Sequence, residues 1–112
     1  MSRLDITVRN TPAGPVVGVI GELDFDTAAE LRDLTAALPL TPGQCLVLDL
    51  TGMEFCDSSG ISALIAARNR ALAADARITL EGVPADTLRV LRVVGLAQVF
   101  HLRSETESRT GF

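Results

Sequence analysis

A chain of 112 residues, 47% of them hydrophobic and 21% charged, has the size and composition of one globular domain and leaves no room for a second. Its formal net charge of −4 argues against a nucleic-acid-binding protein, which needs a basic face to displace counterions from phosphates. All ten basic residues are arginines, so chemistry that depends on a lysine amine is excluded. There is no apolar run of membrane-spanning length and no signal-peptide pattern, which predicts a cytoplasmic protein without a membrane partner.

The first third of the chain predicts a β-hairpin followed by a helix. Alternating apolar residues at 4–8 and a continuous apolar stretch at 16–20 predict two strands, and the segment 10–15 between them has turn composition. Thr27 and Glu30 have the spacing of a capping box, in which both side chains bind free amides of the first helical turn. The leucines that follow at helical spacing are Leu31, Leu34 and Leu38.

The middle of the chain predicts a buried strand, a loop and a second helix. Residues 45–50 are apolar almost without alternation, which is typical of a central, mainly parallel strand covered on both faces. After a loop that contains Cys56, residues 59–74 predict a helix with alanines between its larger apolar residues. The predicted apolar stripe of that helix consists of Ile61, Leu64, Ile65 and Leu72.

The last third continues the alternation of strands and helices. Residues 77–81 predict a short strand, Pro84 opens a third helix, Gly95 ends it, and residues 99–102 predict an edge strand. The residues predicted to line the buried face of the third helix are Leu88, Leu91 and Val94.

Together these elements predict an α/β fold: a short mixed β-sheet, made of an initial hairpin and then β-α units, with helices packed against it. Residues 1–102 form the single domain, and residues 103–112 are predicted to be a polar, frayed tail. In such sheets the functional surface lies at the carboxyl ends of the parallel strands. Here that place is the loop after Leu50.

The segment Asp57-Ser58-Ser59-Gly60 connects this loop to the second helix. Asp57 and Ser58 are both residue types that cap helices, so the segment can be read as a plain helix start. Gly60, however, weakens a helix and allows another backbone to approach closely. A serine at a helix N-terminus also sits where a phosphate group is well tolerated. From these residues alone, a functional serine and a simple cap remain equal alternatives.

Three blocks of the sequence resemble the STAS domain of anti-sigma factor antagonists. They are Gly-Glu-Leu-Asp at 21–24 with Thr-Ala at 27–28 and Leu-Arg at 31–32, the strand at 46–50 running into Phe-Cys-Asp-Ser-Ser-Gly at 55–60, and residues 88–100 with Gly-Leu at 95–96. The blocks cover nearly the whole domain and imply a STAS-like fold. The Asp-Ser-Ser-Gly block is the one that resembles phosphorylatable members.

The resemblance implies a partner switch controlled by phosphorylation of Ser58. In that family the unphosphorylated protein binds an anti-sigma factor with serine kinase activity and frees a sigma factor. The phosphorylated protein releases the anti-sigma factor, and a PP2C-type phosphatase removes the phosphate. Carried over residue by residue, Asp24, Asp57, Ser59 and Gly60 belong to the partner-binding surface, and the two aspartates contact the partner and orient the acceptor. The resemblance implies no enzymatic activity, cofactor, metal or small-molecule substrate.

Other readings of the same residues stay open. Asp24 can be a polar strand exit and Asp57 a helix cap. The fold can also serve as a non-switching scaffold or accessory subunit of a signalling or transporter complex, with Ser58 only capping. The intact Asp-Ser-Ser-Gly block favours the switch.

Enzyme functions agree less well with the residues of this sequence than a partner switch does. A phosphoryl-accepting receiver domain using Asp49 or Asp57 needs a lysine, which the chain lacks. An acyl-transfer enzyme built on Ser58 or Cys56 needs a base, and His101 is the only histidine. The two cysteines, at positions 45 and 56, do not have the spacing of a zinc site.

Overall fold

The chain forms one mixed β-sheet with three helices in the part that the computed structural model describes, residues 3–103. In chain order the elements are β1 (Leu4–Thr11), β2 (Gly14–Leu23), α1 (Ala28–Ala37), β3 (Cys45–Asp49), β4 (Met53–Cys56), α2 (Ser58–Ala73), β5 (Arg77–Glu81), α3 (Ala85–Val93) and β6 (His101–Arg103). The predicted α/β fold, with a hairpin followed by β-α units, is confirmed.

The sheet has the strand order β1-β2-β3-β5-β6, with β4 also paired to β2. β1 and β2 form an antiparallel hairpin, and β2, β3, β5 and β6 run parallel to one another. β3 lies between two parallel neighbours, as its unbroken apolar run predicts. The carboxyl ends of the parallel strands therefore meet at one edge of the sheet, and α2 begins there.

Residues 53–56 form a strand that the sequence analysis assigned to a loop. β4 pairs in parallel with residues 21–23 of β2, whereas β3 pairs with residues 16–18 of the same strand. A four-residue segment without alternation carries little strand signal, because its conformation depends on a partner strand distant in the sequence. Cys56 is thus the last residue of a strand and not a loop residue.

The core joins the inward residues of the strands to the inner faces of α1 and α2. The buried stripe of α2 includes Ala63, Ala67 and Ala71, each fully buried, and their small size lets the helix lie close to its neighbours. The assignment of Leu72 to the buried stripe is wrong, since this side chain is 52% exposed. Val94 is 56% exposed and lies just beyond the end of α3, so its predicted burial is wrong as well.

The predicted capping box at the start of α1 is not formed by Thr27. Its hydroxyl donates a hydrogen bond to the Glu22 carbonyl at 2.7 Å and accepts one from the Asp24 amide at 2.9 Å. The side chain therefore closes the loop that precedes the helix and makes no cap hydrogen bond to the first turn. The groups that bind the Thr27 hydroxyl instead lie before the helix, outside the four residues of the capping-box pattern.

The described part of the chain ends with strand β6. Arg103 is the last residue of β6 and pairs with Glu81 at 2.9 Å. Residues 104–112, the rest of the predicted tail, lie outside the described residues. Of the helices within residues 3–103, none combines the length and the apolar character needed to cross a membrane.

Candidate functional site at the start of the second long helix

Ser58 is the first residue of α2 and follows directly on the carboxyl end of β4 and on Asp57. The helix cap is Asp57, whose Oδ1 accepts a hydrogen bond from the Gly60 amide at 3.0 Å. Of the two capping residues that the sequence allowed, the structure therefore uses Asp57. Ser58 is exposed, and its hydroxyl has no hydrogen-bond partner among residues 3–103. That hydroxyl is accessible to a modifying enzyme or to a protein partner.

The second carboxylate oxygen of Asp57 joins two loops. Asp57 Oδ2 accepts a hydrogen bond from the Phe25 amide at 3.2 Å, and the Asp57 amide donates to the Leu23 carbonyl at 3.3 Å. The loop that leaves β2 is thereby held against the start of α2. The residues predicted from the first and second sequence blocks converge on one surface.

Gly60 permits this convergence. It is buried, and a Cβ atom added there would lie 2.6 Å from both the Leu23 carbonyl oxygen and the Cys56 sulfur. The predicted close approach of another backbone is confirmed. Ser59, between the acceptor and this glycine, is half-buried.

Asp24 is buried and organises the loop between β2 and α1. Its Oδ1 accepts hydrogen bonds from the amides of Asp26 and Thr27 at 3.0 and 3.2 Å, and its Oδ2 pairs with Arg3 at 2.8 Å. Only 12% of the Asp24 side-chain surface is exposed, so most of its contacts are made within the chain. The same guanidinium also pairs with Glu22 at 2.8 Å.

Sequence reasoning missed the contribution of Arg3, because nothing in the local pattern at the N-terminus points to a loop 20 residues away. It also missed two exposed aromatic residues, Phe25 (81% exposed) and Phe55 (52% exposed). For Phe25 a signal was present: a phenylalanine between two aspartates in a loop has poor access to a core. Exposed aromatic side chains next to a polar site are typical of protein interfaces.

A groove of about 410 Å³ continues this surface between α2 and α3. Ser58 and Ile61 line it on the α2 side, and Val90, Val94 and Leu96 on the other. These groove residues and Phe25, whose amide is hydrogen-bonded to Asp57, border Ser58. We call this set the Ser58 surface.

The geometry gives no support to nucleophilic catalysis. Burial and, secondarily, the Asp57 carboxylate raise the pKa of Cys56 from 9.0 to about 11, which keeps its thiol protonated. His101 is the exposed first residue of the edge strand β6, and it makes no hydrogen bond to Ser58 or Cys56. Within the described range 3–103, no three His, Cys, Asp or Glu side chains are grouped closely enough to hold a metal ion.

Comparison with known proteins agrees with this architecture. The chain is 27% identical over 101 residues to the anti-sigma-F factor antagonist RsfB of Mycobacterium tuberculosis, an alignment that covers 90% of this chain and 82% of RsfB. A crystal structure of an anti-sigma factor antagonist from Mycobacterium paratuberculosis superposes with a TM-score of 0.74 at 27% identity, over 89% of this chain and 85% of that one.

The fold also matches SpoIIAA at 18% sequence identity. The unphosphorylated form of SpoIIAA gives a TM-score of 0.75 over 93% of this chain and 92% of that one. The phosphorylated form, from Bacillus, gives 0.69 over 95% and 97%. The profile of the family described as "Mlab, STAS domain" matches residues 6–104, nearly the full length of the sequence. The resemblance seen in the three sequence blocks is therefore confirmed, and the chain belongs to the STAS domain family.

Proposed function

We propose that this protein is an anti-sigma factor antagonist that acts as a phosphorylation-controlled partner switch. Unphosphorylated, it binds an anti-sigma factor through the Ser58 surface and frees a sigma factor. The serine kinase activity of that anti-sigma factor phosphorylates Ser58, the complex separates, and a PP2C-type phosphatase restores the first state. The observation that carries the proposal is an exposed Ser58 hydroxyl, which does not cap the helix because Asp57 does, at the border of a groove lined by Ile61, Val90, Val94 and Leu96.

The interface chemistry explains how one phosphate would separate the partners. The apolar side chains around Ser58 favour association because they leave water when a partner covers them. Phosphorylation adds about −1.5 to −2 charges at their centre, close to the Asp57 carboxylate. Burying an unpaired dianion against apolar surface has a large desolvation cost, so phosphorylation destabilises the complex.

The same phosphate would leave the free domain folded. Ser58 lies at the N-terminus of a 16-residue helix, where backbone amides and the helix dipole favour negative charge. Its hydroxyl has no partner in the described part of the chain, so modification removes no internal hydrogen bond. The switch therefore acts by local repulsion at the interface and not by refolding.

The neighbouring residues take distinct roles in this proposal. Asp57 fixes the position of Ser58 by capping the helix, and Gly60 allows α2 to start against the end of β2. Asp24 shapes the loop that presents Phe25 to the partner, while Ser59 lies at the edge of the contact. The names of RsfB and of the Mycobacterium paratuberculosis protein, both anti-sigma factor antagonists, support the general function.

The test is the intact mass of the protein after incubation with ATP and candidate anti-sigma kinases from the same organism. We expect a gain of one phosphate that is absent in Ser58→Ala, and loss of kinase binding once the phosphate is present. Ser62→Ala removes a second exposed serine that lines the same groove one turn further along α2; it is the matched control for the phosphate acceptor and should gain the phosphate normally.

Two other outcomes contradict parts of the proposal. Tight binding of an anti-sigma factor without phosphate transfer would identify a constitutive antagonist. Absence of both binding and transfer with every candidate kinase would favour the scaffold or accessory-subunit role.

A further inference from the structure

A second cavity, of about 710 Å³, shares no lining residue with the groove beside Ser58. Its floor includes the sheet face that is turned away from the helix-covered core, and Arg68 and Leu72 of α2 and the core residue Ile78 also line it. Val47 pairs with Thr79, and Thr79 pairs with His101, so these three residues form one transverse row across β3, β5 and β6. Side chains alternate along a strand, and the flanking Leu46 and Leu48 belong to the core on the opposite face.

The lining of this cavity carries positive charge. Arg68, Arg77 and Arg103 line it together with His101, and none of its lining residues, all from the described range, is an aspartate or a glutamate. The whole chain nevertheless carries a formal net charge of −4. Positive charge is thus concentrated at one concave place on an acidic protein, where it attracts small anions.

Two of these arginines have N–H groups without a hydrogen-bond partner among residues 3–103. Arg103 pairs with Glu81 through one terminal nitrogen, but its Nε is buried and has no hydrogen-bond partner among residues 3–103. Arg77 is exposed and has no ion pair or side-chain hydrogen bond to any residue in 3–103. Buried donors are satisfied in most proteins, and an unsatisfied one is costly. An anion in this cavity would pair with the exposed Arg77 guanidinium and lie beside the guanidinium of Arg103.

The remaining lining is largely apolar. Val16, Val47, Leu72, Ile78 and Val99 contribute hydrophobic surface, and Thr11 and Thr79 contribute hydroxyl groups. Val47 and Thr79 are both buried at the floor, at 9% and 3% exposure. The volume lies within the range of roughly 300–1,000 Å³ that is usual for small-molecule sites. Apolar walls with a few convergent donors are the usual composition of such sites.

We propose that this cavity binds a small organic anion: an apolar body that carries a phosphate, sulfonate or carboxylate group. The apolar body lies against Val47 and its hydrophobic neighbours, and the anionic group accepts hydrogen bonds from Arg77 and Arg103. The site lies toward the amino ends of β3 and β5, away from Ser58, and does not depend on the function proposed for that serine.

The test is a fluorescence titration of the full-length protein with anilinonaphthalene sulfonate, a dye with an apolar body and one sulfonate. We expect saturable binding of one dye per chain. Arg77→Ala should raise the dissociation constant of the dye about 10- to 100-fold, as expected for the loss of a hydrogen bond to a charged group. Arg32→Ala is the matched control, because it removes an exposed arginine of α1 that does not line the cavity. Uncharged phenylnaphthylamine should bind at least about tenfold more weakly than anilinonaphthalene sulfonate.

The location is tested by the amide chemical shifts of the same complex. The dye should shift the amide signals of Val47, Thr79 and His101 and leave that of Gly60 in place. Shifts centred on the Ser58 surface would overturn the proposal. Equal weakening by Arg32→Ala and Arg77→Ala would overturn it too, since the attraction would then be a property of the whole surface.

Discussion

Asp57 does more for the Ser58 surface than any other single residue. One carboxylate oxygen caps α2 through the Gly60 amide, and the other holds the Phe25 amide in the adjoining loop. Because both bonds originate in one side chain, helix start and loop position are coupled. Loss of this carboxylate would disturb the loop as well as the helix.

Replacing Asp57 by alanine should lower the free energy of unfolding by about 1–2 kcal/mol, since a lost N-cap costs roughly 1 kcal/mol and a second hydrogen bond is lost with it. Urea denaturation at pH 7 measures the change. Asp57→Asn is the control, because its amide oxygen can still cap the helix, and we expect it to lose less than half as much. A wild-type transition midpoint for Asp57→Ala would contradict this account.

Cys56 gives a prediction about pH. Its pKa of about 11, against the ordinary 9.0, arises from burial and from the nearby Asp57 charge. Between these two values the folded chain keeps the thiol proton that the unfolded chain releases, so this group makes stability fall as pH rises above about 9.

The measurement is the rate of iodoacetamide alkylation in a Cys45→Ala variant, in which Cys56 is the only thiol. We expect slow alkylation at pH 8, where about one thiol in a thousand is ionised, and a rate that climbs toward pH 11. The urea-unfolded chain is the control and should titrate near the ordinary value. A midpoint near 9 in the folded protein would show that burial does not protect this thiol.

At the residue scale, sequence patterns were reliable where the partner is close in the chain. The Asp57 cap was recognisable because the Gly60 amide lies three residues downstream. The Thr27 cap failed because the hydroxyl binds the Glu22 carbonyl and the Asp24 amide in the preceding loop. Two acceptable local arrangements compete at such a threonine, and only the folded loop decides between them.

At the scale of elements, the contact between α2 and the end of β2 depends on the absence of a side chain at position 60. Gly60→Ala should destabilise the fold by about 1–3 kcal/mol through overpacking, although alanine is the better helix former by roughly 1 kcal/mol. The matched control is Ser62→Ala, at an exposed position of the same helix, which should be neutral or slightly stabilising. Stabilisation by Gly60→Ala in urea denaturation would mean that α2 can move away from Leu23 at little cost.

Most elements were predictable because each carries its own periodic signal. The exception is β4, which is four residues long and is a strand because β2 extends beyond the end of β3. In α2, Ile61 and Leu64 are buried as predicted, but the assignment of Leu72 to the core is wrong for a related reason: the alanines of this helix are the residues that fit against the rest of the core. Close packing between elements favoured small side chains, and hydropathy alone does not report that preference.

For the molecule as a whole, the proposed switch requires that charge at position 58 leave the fold unchanged. Ser58→Glu should keep the free energy of unfolding within about 0.5 kcal/mol of wild type, because the helix dipole offsets repulsion from Asp57. Amide chemical shifts should change around Ser58 and stay constant across the sheet. Ser62→Glu, one turn further along α2, controls for the added charge. Shift changes spread over β1, β3 and β5 would show a refolding mechanism instead.

The arrangement of β2 has a consequence for motion. β1 pairs with residues 14–21 of β2 along one edge, and β3 and β4 pair with residues 16–18 and 21–23 along the other. Residues 16–18 are therefore covered on both edges, and their amide protons should be among the slowest to exchange with water. The loop with Phe25 leaves directly from the end of this strand, and the Asp57 amide donates to the carbonyl of its last residue, Leu23. The Ser58 surface is therefore attached directly to the end of the strand whose middle should open last.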